Sequence, residues 1–465
     1  MTTSASEINY WGRLIEPEIK EFLQAKDFKS LRSALAELEA PDIAEALLVL
    51  TPDERAIVFR ILPRQLGAEV FAYLPFAEEE ELIHSLGNEH VTGILNEMEP
   101  DDRTALLEEL PGQITKRLIA SLSPEERSVA RQLLGYPEES VGRLMTPEYV
   151  SINEEWTVQE TLNKLRQIGK EKETVNSLYV TDQKDHLLAY VPLKMLIFVA
   201  PDSLVRDIML PNIVALRAFD DQETASDAML HYDLNILPVI DSDGTLVGIV
   251  TADDVLDVVI EETTEDIHLM GGVQALEEPY DDVSFFTMAR KRGTWLFILF
   301  LGSTITVAIM KQFETTIDNV STAVVLFLPM IISSGGNSGS QAATLIIRAL
   351  SVQDVELKDW LVVFGRELLT GLLLGAFLGI IAMLLVVLWP GAETLFGANY
   401  IMFGFTISCA VVGVVTAGAV IGSMLPFLLS AWGVDPALAS TPLVATLVDA
   451  LGVVILFSAA LLILA

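Results

Sequence analysis

Asp449 is the one acidic residue in the last 29 positions, 437–465, and its surroundings are otherwise almost wholly apolar: Thr441-Pro442-Leu443-Val444-Ala445-Thr446-Leu447-Val448-Asp449-Ala450. A carboxylate at membrane depth costs at least about 2.5–3.5 kcal/mol on insertion scales, so by default it faces a polar pathway. The structural alternatives are a hydrogen bond to a neighbouring helix or an ion pair with Arg366. A second polar island, Ser333-Ser334-Gly335-Gly336-Asn337-Ser338-Gly339-Ser340-Gln341, follows Pro329. In a membrane helix such a run predicts a break whose freed carbonyls line a cavity, with the Asn337 amide as a further oxygen. Gly335-x-x-x-Gly339 also fits a tight helix contact, and the two readings are compatible. Gly418-x-x-x-Gly422 is read as packing alone. No Gly-Lys-Ser/Thr follows the island, which excludes a P-loop.

These donors are hard oxygens. All five histidines precede residue 270, and a single cysteine, Cys409, cannot build a multi-cysteine site. That disfavours copper and zinc and favours Mg²⁺ or Ca²⁺. One carboxylate per chain is thin for a divalent ion. A two-fold dimer, the commonest closed oligomer, would bring two copies of Asp449 to one axis.

The elements that must position these residues follow from composition. The chain has 465 residues, 29 basic and 64 acidic, a net charge of −35, and 51% hydrophobic residues. Only 6 basic and 9 acidic residues lie from Lys291 onward, so 23 basic and 55 acidic, a net of −32, precede it. A strongly acidic soluble part is joined to an almost uncharged apolar part, and the acidity excludes nucleic acid as a partner. The first 20 residues hold no apolar signal-peptide core. A membrane span needs about 20 mostly apolar residues. Five are expected: 294–310, 319–348, 360–389, 401–430 and 437–465. Arg290, Lys291 and Arg292 precede the first, Arg348 follows the second and Lys358 precedes the third, while 390–400 has no Lys or Arg. The positive-inside rule then puts the acidic part in the cytoplasm, and five spans put the C-terminus outside.

Residues 1–140 read as all helix. Prolines 52, 75, 100 and 124 recur 23, 25 and 24 residues apart, each ahead of a run of carboxylates. Proline and acids both suit a first helical turn, and the fixed period predicts a small superhelical solenoid. Residues 141–252 contain an α+β unit twice: Leu144-Met145-Thr146-Pro147 is echoed by Ile208-Met209-Leu210-Pro211, and Asn176–Asp182 by Asn235–Asp241. From Asp253 a helix is expected to Met270, stopped by Gly271-Gly272. Asp254, Asp257, Glu261 and Glu265 share a face of it, flanked by Glu262 and Asp266. Such a charge run is usually a solvated face. Its place directly before the membrane, with Glu277, Glu278, Asp281 and Asp282 following, favours carboxylates bridged by Mg²⁺ or Ca²⁺. Asp241-Ser242-Asp243-Gly244 resembles the start of a calcium loop but lacks its later ligands, and is read as a turn.

The repeated unit resembles a tandem pair of CBS domains, modules that often bind adenine nucleotides. Thr251 and Asp254 match that family's ribose-contacting Thr-x-x-Asp pattern; the first copy has Pro192 and Met195 there instead. The whole chain resembles the MgtE family of magnesium channels, through Glu265-Asp266-Ile267, Arg292-Gly293-Thr294-Trp295-Leu296, Gly336–Gln341, Arg366-Glu367, Asp435-Pro436-Ala437 and Thr446-Leu447-Val448-Asp449 in order. The resemblance implies an all-α superhelical N-domain (1–140), tandem α+β CBS domains (141–203 and 204–252), an acidic plug helix and linker (253–290) and a transmembrane domain of five helices (291–465). It further implies a homodimer in the bacterial inner membrane that takes up Mg²⁺ and is not an enzyme. Asp449 would hold the ion in the pore and Asn337 would line it. Asp254, Asp257, Glu261, Glu262, Glu265 and Asp266 would be regulatory Mg²⁺ ligands, and Thr251 and Asp254 would permit ATP. The rivals are Ca²⁺, Mn²⁺ or Co²⁺ as cargo, a CBS-regulated anion channel, and an intramembrane enzyme built on Asp449. The anion channel lacks a cationic filter, and the enzyme lacks a second catalytic partner.

Overall fold

The computed structural model describes residues 10–276, 280, 283–313, 323–352 and 354–464. Glu277, Glu278, Asp281 and Asp282 lie outside the described residues. The chain divides into two compact units, Met1–Val259 and Ile260–Ala465.

The first unit opens with helices α1 (Tyr10–Ala25), α2 (Phe28–Leu35), α3 (Ala40–Leu48), α4 (Pro52–Ile61), α5 (Arg64–Ala72), α6 (Phe76–Ser85), α7 (Asn88–Glu97), α8 (Pro100–Glu109), α9 (Gly112–Ser121) and α10 (Pro124–Leu133). From α2 onward each starts 12 residues after the last, so the proline period is two helices long. Alternate helices stack, α3 on α5 on α7, and α8 on α10. Leu31, Ile43, Leu47, Val58, Val70, Leu82 and Leu107 fill the core between them. Proline opens α4, α8 and α10, where its missing N–H costs no helix bond.

The fourth residue of those helices is an arginine, which turns back to the end of an earlier one. Arg55 Nε donates to Leu47 O at 3.0 Å. Arg103 Nη1 donates to Leu95 O at 2.9 Å and to Met98 O at 3.2 Å. Arg127 Nε donates to Ile119 O at 3.1 Å. Helix C-termini leave carbonyls unpaired, and these guanidinium groups satisfy them while tying one repeat to the next.

Two α+β modules follow. The first has α11 (Val141–Leu144), β1 (Ser151–Ile152), α12 (Val158–Ile168), β2 (Ser177–Thr181), β3 (Leu187–Pro192) and α13 (Leu193–Phe198). The second has α14 (Val205–Ile208), β4 (Leu216–Arg217), α15 (Glu223–Tyr232), β5 (Ile236–Ile240) and β6 (Leu246–Thr251). Their sheets share one topology, β1-β2-β3 and β4-β5-β6, with a parallel pair and then an antiparallel hairpin. The hairpin tips join the modules: Leu187 N donates to Gly244 O at 3.2 Å, and Leu246 N to Asp185 O at 2.9 Å. The Asp241–Gly244 segment is the expected turn, with the Asp241 carboxylate accepting from Asp243 N and Thr245 N.

α16 (Ala252–Met270) leaves β6, begins in the first unit and ends in the second. Gly272 closes it at φ +70°, which a side chain would strain.

The second unit contains α17 (Phe285–Gln312), α18 (Ala323–Leu326), α19 (Leu328–Ser351), α20 (Trp360–Val387), α21 (Ala392–Phe396), α22 (Tyr400–Ala431) and α23 (Thr441–Leu464). α22 is central and packs against α19, α20 and α23, while α17 packs on α23. Four described helices are long and apolar enough to cross a membrane: Phe285–Gln312, Leu357–Val387, Tyr400–Ala431 and Thr441–Leu464. α19, which overlaps the expected second span, is not among them; its Ser, Gly and Asn residues lower its hydropathy.

One expectation is corrected. The polar island does not break a helix, because α19 runs unbroken through it. Pro329 sits at its first turn, and the glycines are used for close approach. A β-carbon on Gly339 would meet Gly418 O at 2.9 Å, and one on Gly418 would collide with Gly335 O. The two small-x-x-x-small motifs are therefore one seam between α19 and α22. α20 approaches α22 similarly, with a β-carbon on Gly375 placed 3.0 Å from Val412 Cα. The α19 carbonyls stay in the helix ladder and are not freed as ligands.

Candidate functional site

In the second unit, Asp449 is half-buried on α23 between buried Val448 and half-buried Ala450. Among the described residues no hydrogen bond or ion pair reaches its carboxylate. The alternative tie to Arg366 is absent, and Arg366 is exposed on α20. Asn337 is exposed on α19, with buried Ser338 beside it donating to Val415 O at 3.1 Å. α19 meets α23 through Gly335 and Gly339 against Val448 and Val444. The seam puts Asn337 and Asp449 on adjoining helices without joining them by a hydrogen bond. Among the described residues no three His, Cys, Asp or Glu side chains converge as a ligand set within one chain.

At the end of α16, Asp266 accepts from Ser351 Oγ at 3.4 Å. Burial raises its pKa, and the Asp435 carboxylate raises it further against the pull of Arg348. Asp435 itself accepts from Ala437 N at 2.7 Å. Glu262 and Glu265 are half-buried on the same helix and Glu261 is exposed; all three have interactions within the chain.

The first unit holds a larger acidic constellation. Asp253, Asp254 and Asp257 at the start of α16 lie within electrostatic reach of Glu99, Asp101 and Asp102 at the start of α8. Glu173 of the first module joins them. Burial, then like charge, pushes Asp102 and Glu173 up to about 7. Asp254 is raised to about 6 by burial, against a hydrogen bond from Thr251. Asp257 is raised by burial and by Asp253. Mutual repulsion in a desolvated setting favours either protons or a bridging cation.

From sequence, Asp254 and Asp257 are legible as candidate ligands, whereas Asp101, Asp102 and Glu79 read only as acids of helix starts and Glu99 and Glu173 carry no signal. Glu79 is the fourth residue of α6, the place held by Arg55, Arg103 and Arg127 in the sister helices. It is buried, and burial followed by the charges of Glu109 and Asp102 pushes it up to about 8. The exception to the arginine pattern was the signal that could have revealed it.

Thr251 Oγ1 lies within hydrogen-bond reach of Asp253, and at 2.7 Å from Asp254. Hydroxyl and carboxylates thus stand together at the β6–α16 junction.

This combination defines a membrane protein that also carries a helical repeat, a tandem α+β pair and a set of buried carboxylates. Comparisons with known proteins agree. The profile described as "MgtE: Divalent cation transporter" matches residues 328–459. The MgtE intracellular N domain matches 38–139, and the CBS domain matches 141–202 and 205–261. The magnesium transporter MgtE of Thermus thermophilus is 39% identical over 96% of this chain and 98% of its own length. The protein of the same name from Bacillus subtilis is 30% identical over 90% of this chain and 93% of its own. Among solved structures, the cytosolic domain of the Mg²⁺ channel MgtE in complex with ATP has a TM-score of 0.51 and 36% identity, over 52% of this chain and 99% of that one. The soluble part of a magnesium transporter has a TM-score of 0.52 and 28% identity, over 54% and 99%. The chain belongs to the MgtE family. Membership places it among non-enzymatic transporters.

Proposed function

We propose that this protein is a Mg²⁺-selective channel for magnesium uptake, closed by cytosolic Mg²⁺. The likeness along nearly the full chain to a magnesium transporter carries this reading. The chain acts as a homodimer in the bacterial inner membrane and crosses it five times, with α19 as the second crossing. The acidic domains are cytoplasmic and the C-terminus is outside. The pore runs along the dimer axis. Two copies of Asp449, which no described residue neutralises, hold a partly hydrated Mg²⁺ there, and Asn337 lines the same pathway. Mg²⁺ dehydrates reluctantly, so pore width decides selectivity.

Cytosolic Mg²⁺ acts on the carboxylates of α16 and their neighbours. At low Mg²⁺ Asp254, Asp257, Glu261, Glu262, Glu265 and Asp266, with Asp102 and Glu173, repel other carboxylates and the soluble parts separate. At high Mg²⁺ the ions bridge those faces and hold the plug helices over the pore. A ligand shifts such an equilibrium only by binding one state better, and bridged carboxylates exist only in the closed state. ATP fits the second module: Asp254 would accept from ribose hydroxyls and Thr251 would complete the pair. The solved relative in complex with ATP supports this assignment.

Reconstituted liposomes loaded with an ion-sensitive dye test the cargo. Entry of Mg²⁺ well above that of Ca²⁺, Mn²⁺ and Co²⁺ is expected. Entry of one of those three in preference to Mg²⁺ would replace the proposed cargo.

A further inference from the structure

We propose that the N-terminal end of α17 binds an anionic phospholipid. The helix has 28 residues, about 42 Å at about 1.5 Å per residue, against a hydrocarbon layer of about 30 Å. Its apolar run begins after Thr294, so the first two turns extend into the headgroup layer. At about 100° per residue, Phe285, Phe286, Ala289, Arg290, Arg292 and Gly293 fall on one face about 160° wide. Phe285 and Phe286 are 80% and 83% exposed. Nothing lies within 4 Å of the place a β-carbon on Gly293 would take. Ala289 and Gly293 thus form an open notch with an arginine on each side.

Charge complementarity selects the occupant. The chain carries 64 acidic residues, yet among the described residues Arg290 and Arg292 have no acidic partner. Lys291 between them is turned away, its Nζ donating to Ala275 O at 2.6 Å. Two exposed guanidinium groups at headgroup depth match a phosphodiester, and they favour an anionic headgroup, whose phosphodiester charge is uncompensated, over a zwitterionic one, whose ammonium they would repel. Above the notch Leu296, Phe297 and Phe300 continue the same face, exposed by 61%, 63% and 70%, as a track for the acyl chain.

Native mass spectrometry of the full chain in detergent, with divalent ions chelated, tests this against phosphatidylglycerol and phosphatidylcholine. Wild type should retain phosphatidylglycerol about tenfold better, a difference of about 1.4 kcal/mol. R290Q/R292Q should abolish that preference. G293L keeps both charges but fills the notch, and should lower phosphatidylglycerol retention without lowering the melting temperature. Equal retention of the two lipids by wild type, or an unchanged preference in R290Q/R292Q, would overturn the proposal. So would efficient disulfide formation between copies of G293C in a C409S background, which would assign the face to a second copy of the chain.

Discussion

Gly339 and Gly422 face each other so closely that the carbonyl oxygen of the first fills the space a β-carbon on the second would need. α19 and α22 therefore meet backbone to backbone, and the helix carrying Asn337 has no room to roll on its neighbour. Gly422→Ala should force them apart at about 1–3 kcal/mol, the usual cost of overpacking. The melting temperature of the purified chain should fall. Gly365→Ala, where an added β-carbon meets nothing within 4 Å, should not lower it.

Arg103 is fully buried and holds two carbonyls and the Glu126 carboxylate. Arg103→Met should destabilise the first unit by about 3–5 kcal/mol, because it strands a partly buried carboxylate. Adding Glu126→Leu should recover part of that loss. Thermal melts of the three variants check the order wild type, double, single.

Without divalent ions, the acidic constellation should make stability fall as pH rises. Glu79, Asp102, Glu173 and Asp254 are pushed up to about 8, 7, 7 and 6. An acid with a raised folded-state pKa favours folding in its protonated form. That contribution is fully present below about pH 4, where the unfolded acids are also protonated, and is lost as pH rises through about 6–8. Mg²⁺ should replace the lost protons, so its effect on melting temperature should be larger at pH 8.5 than at pH 6. An equal effect at both would separate metal binding from these carboxylates.

Replacing Asp254, Asp257 and Glu261 together with their amides should weaken inhibition by cytosolic Mg²⁺. The ratio of Mg²⁺ entry at low to high internal Mg²⁺ should fall toward one. A ratio equal to wild type would remove the gating role from this face of α16.

The sequence made some of this plain and hid the rest for physical reasons. A lone aspartate in an apolar run is a one-dimensional signal, so Asp449 was legible; the direction in which its side chain points was not. The paired modules were readable because both copies keep their strand and turn residues. The polar island misled because Gly, Ser and Asn carry poor helix propensity, which packing against α22 overrides. Asp101 and Asp102 were legible as caps, but their meeting with Asp253 and Asp254 spans some 150 residues of sequence and leaves no local pattern. Glu79 was hidden differently, as one acid within a run of four whose neighbours are less buried.

The most direct test is Mg²⁺ entry into liposomes carrying the purified chain, compared with Asp449→Ala at equal insertion and equal dimer content. A pore built on Asp449 requires entry through wild type and at least a tenfold loss in the variant, equivalent to about 1.4 kcal/mol. Equal entry through both would contradict it and move the ion site away from Asp449.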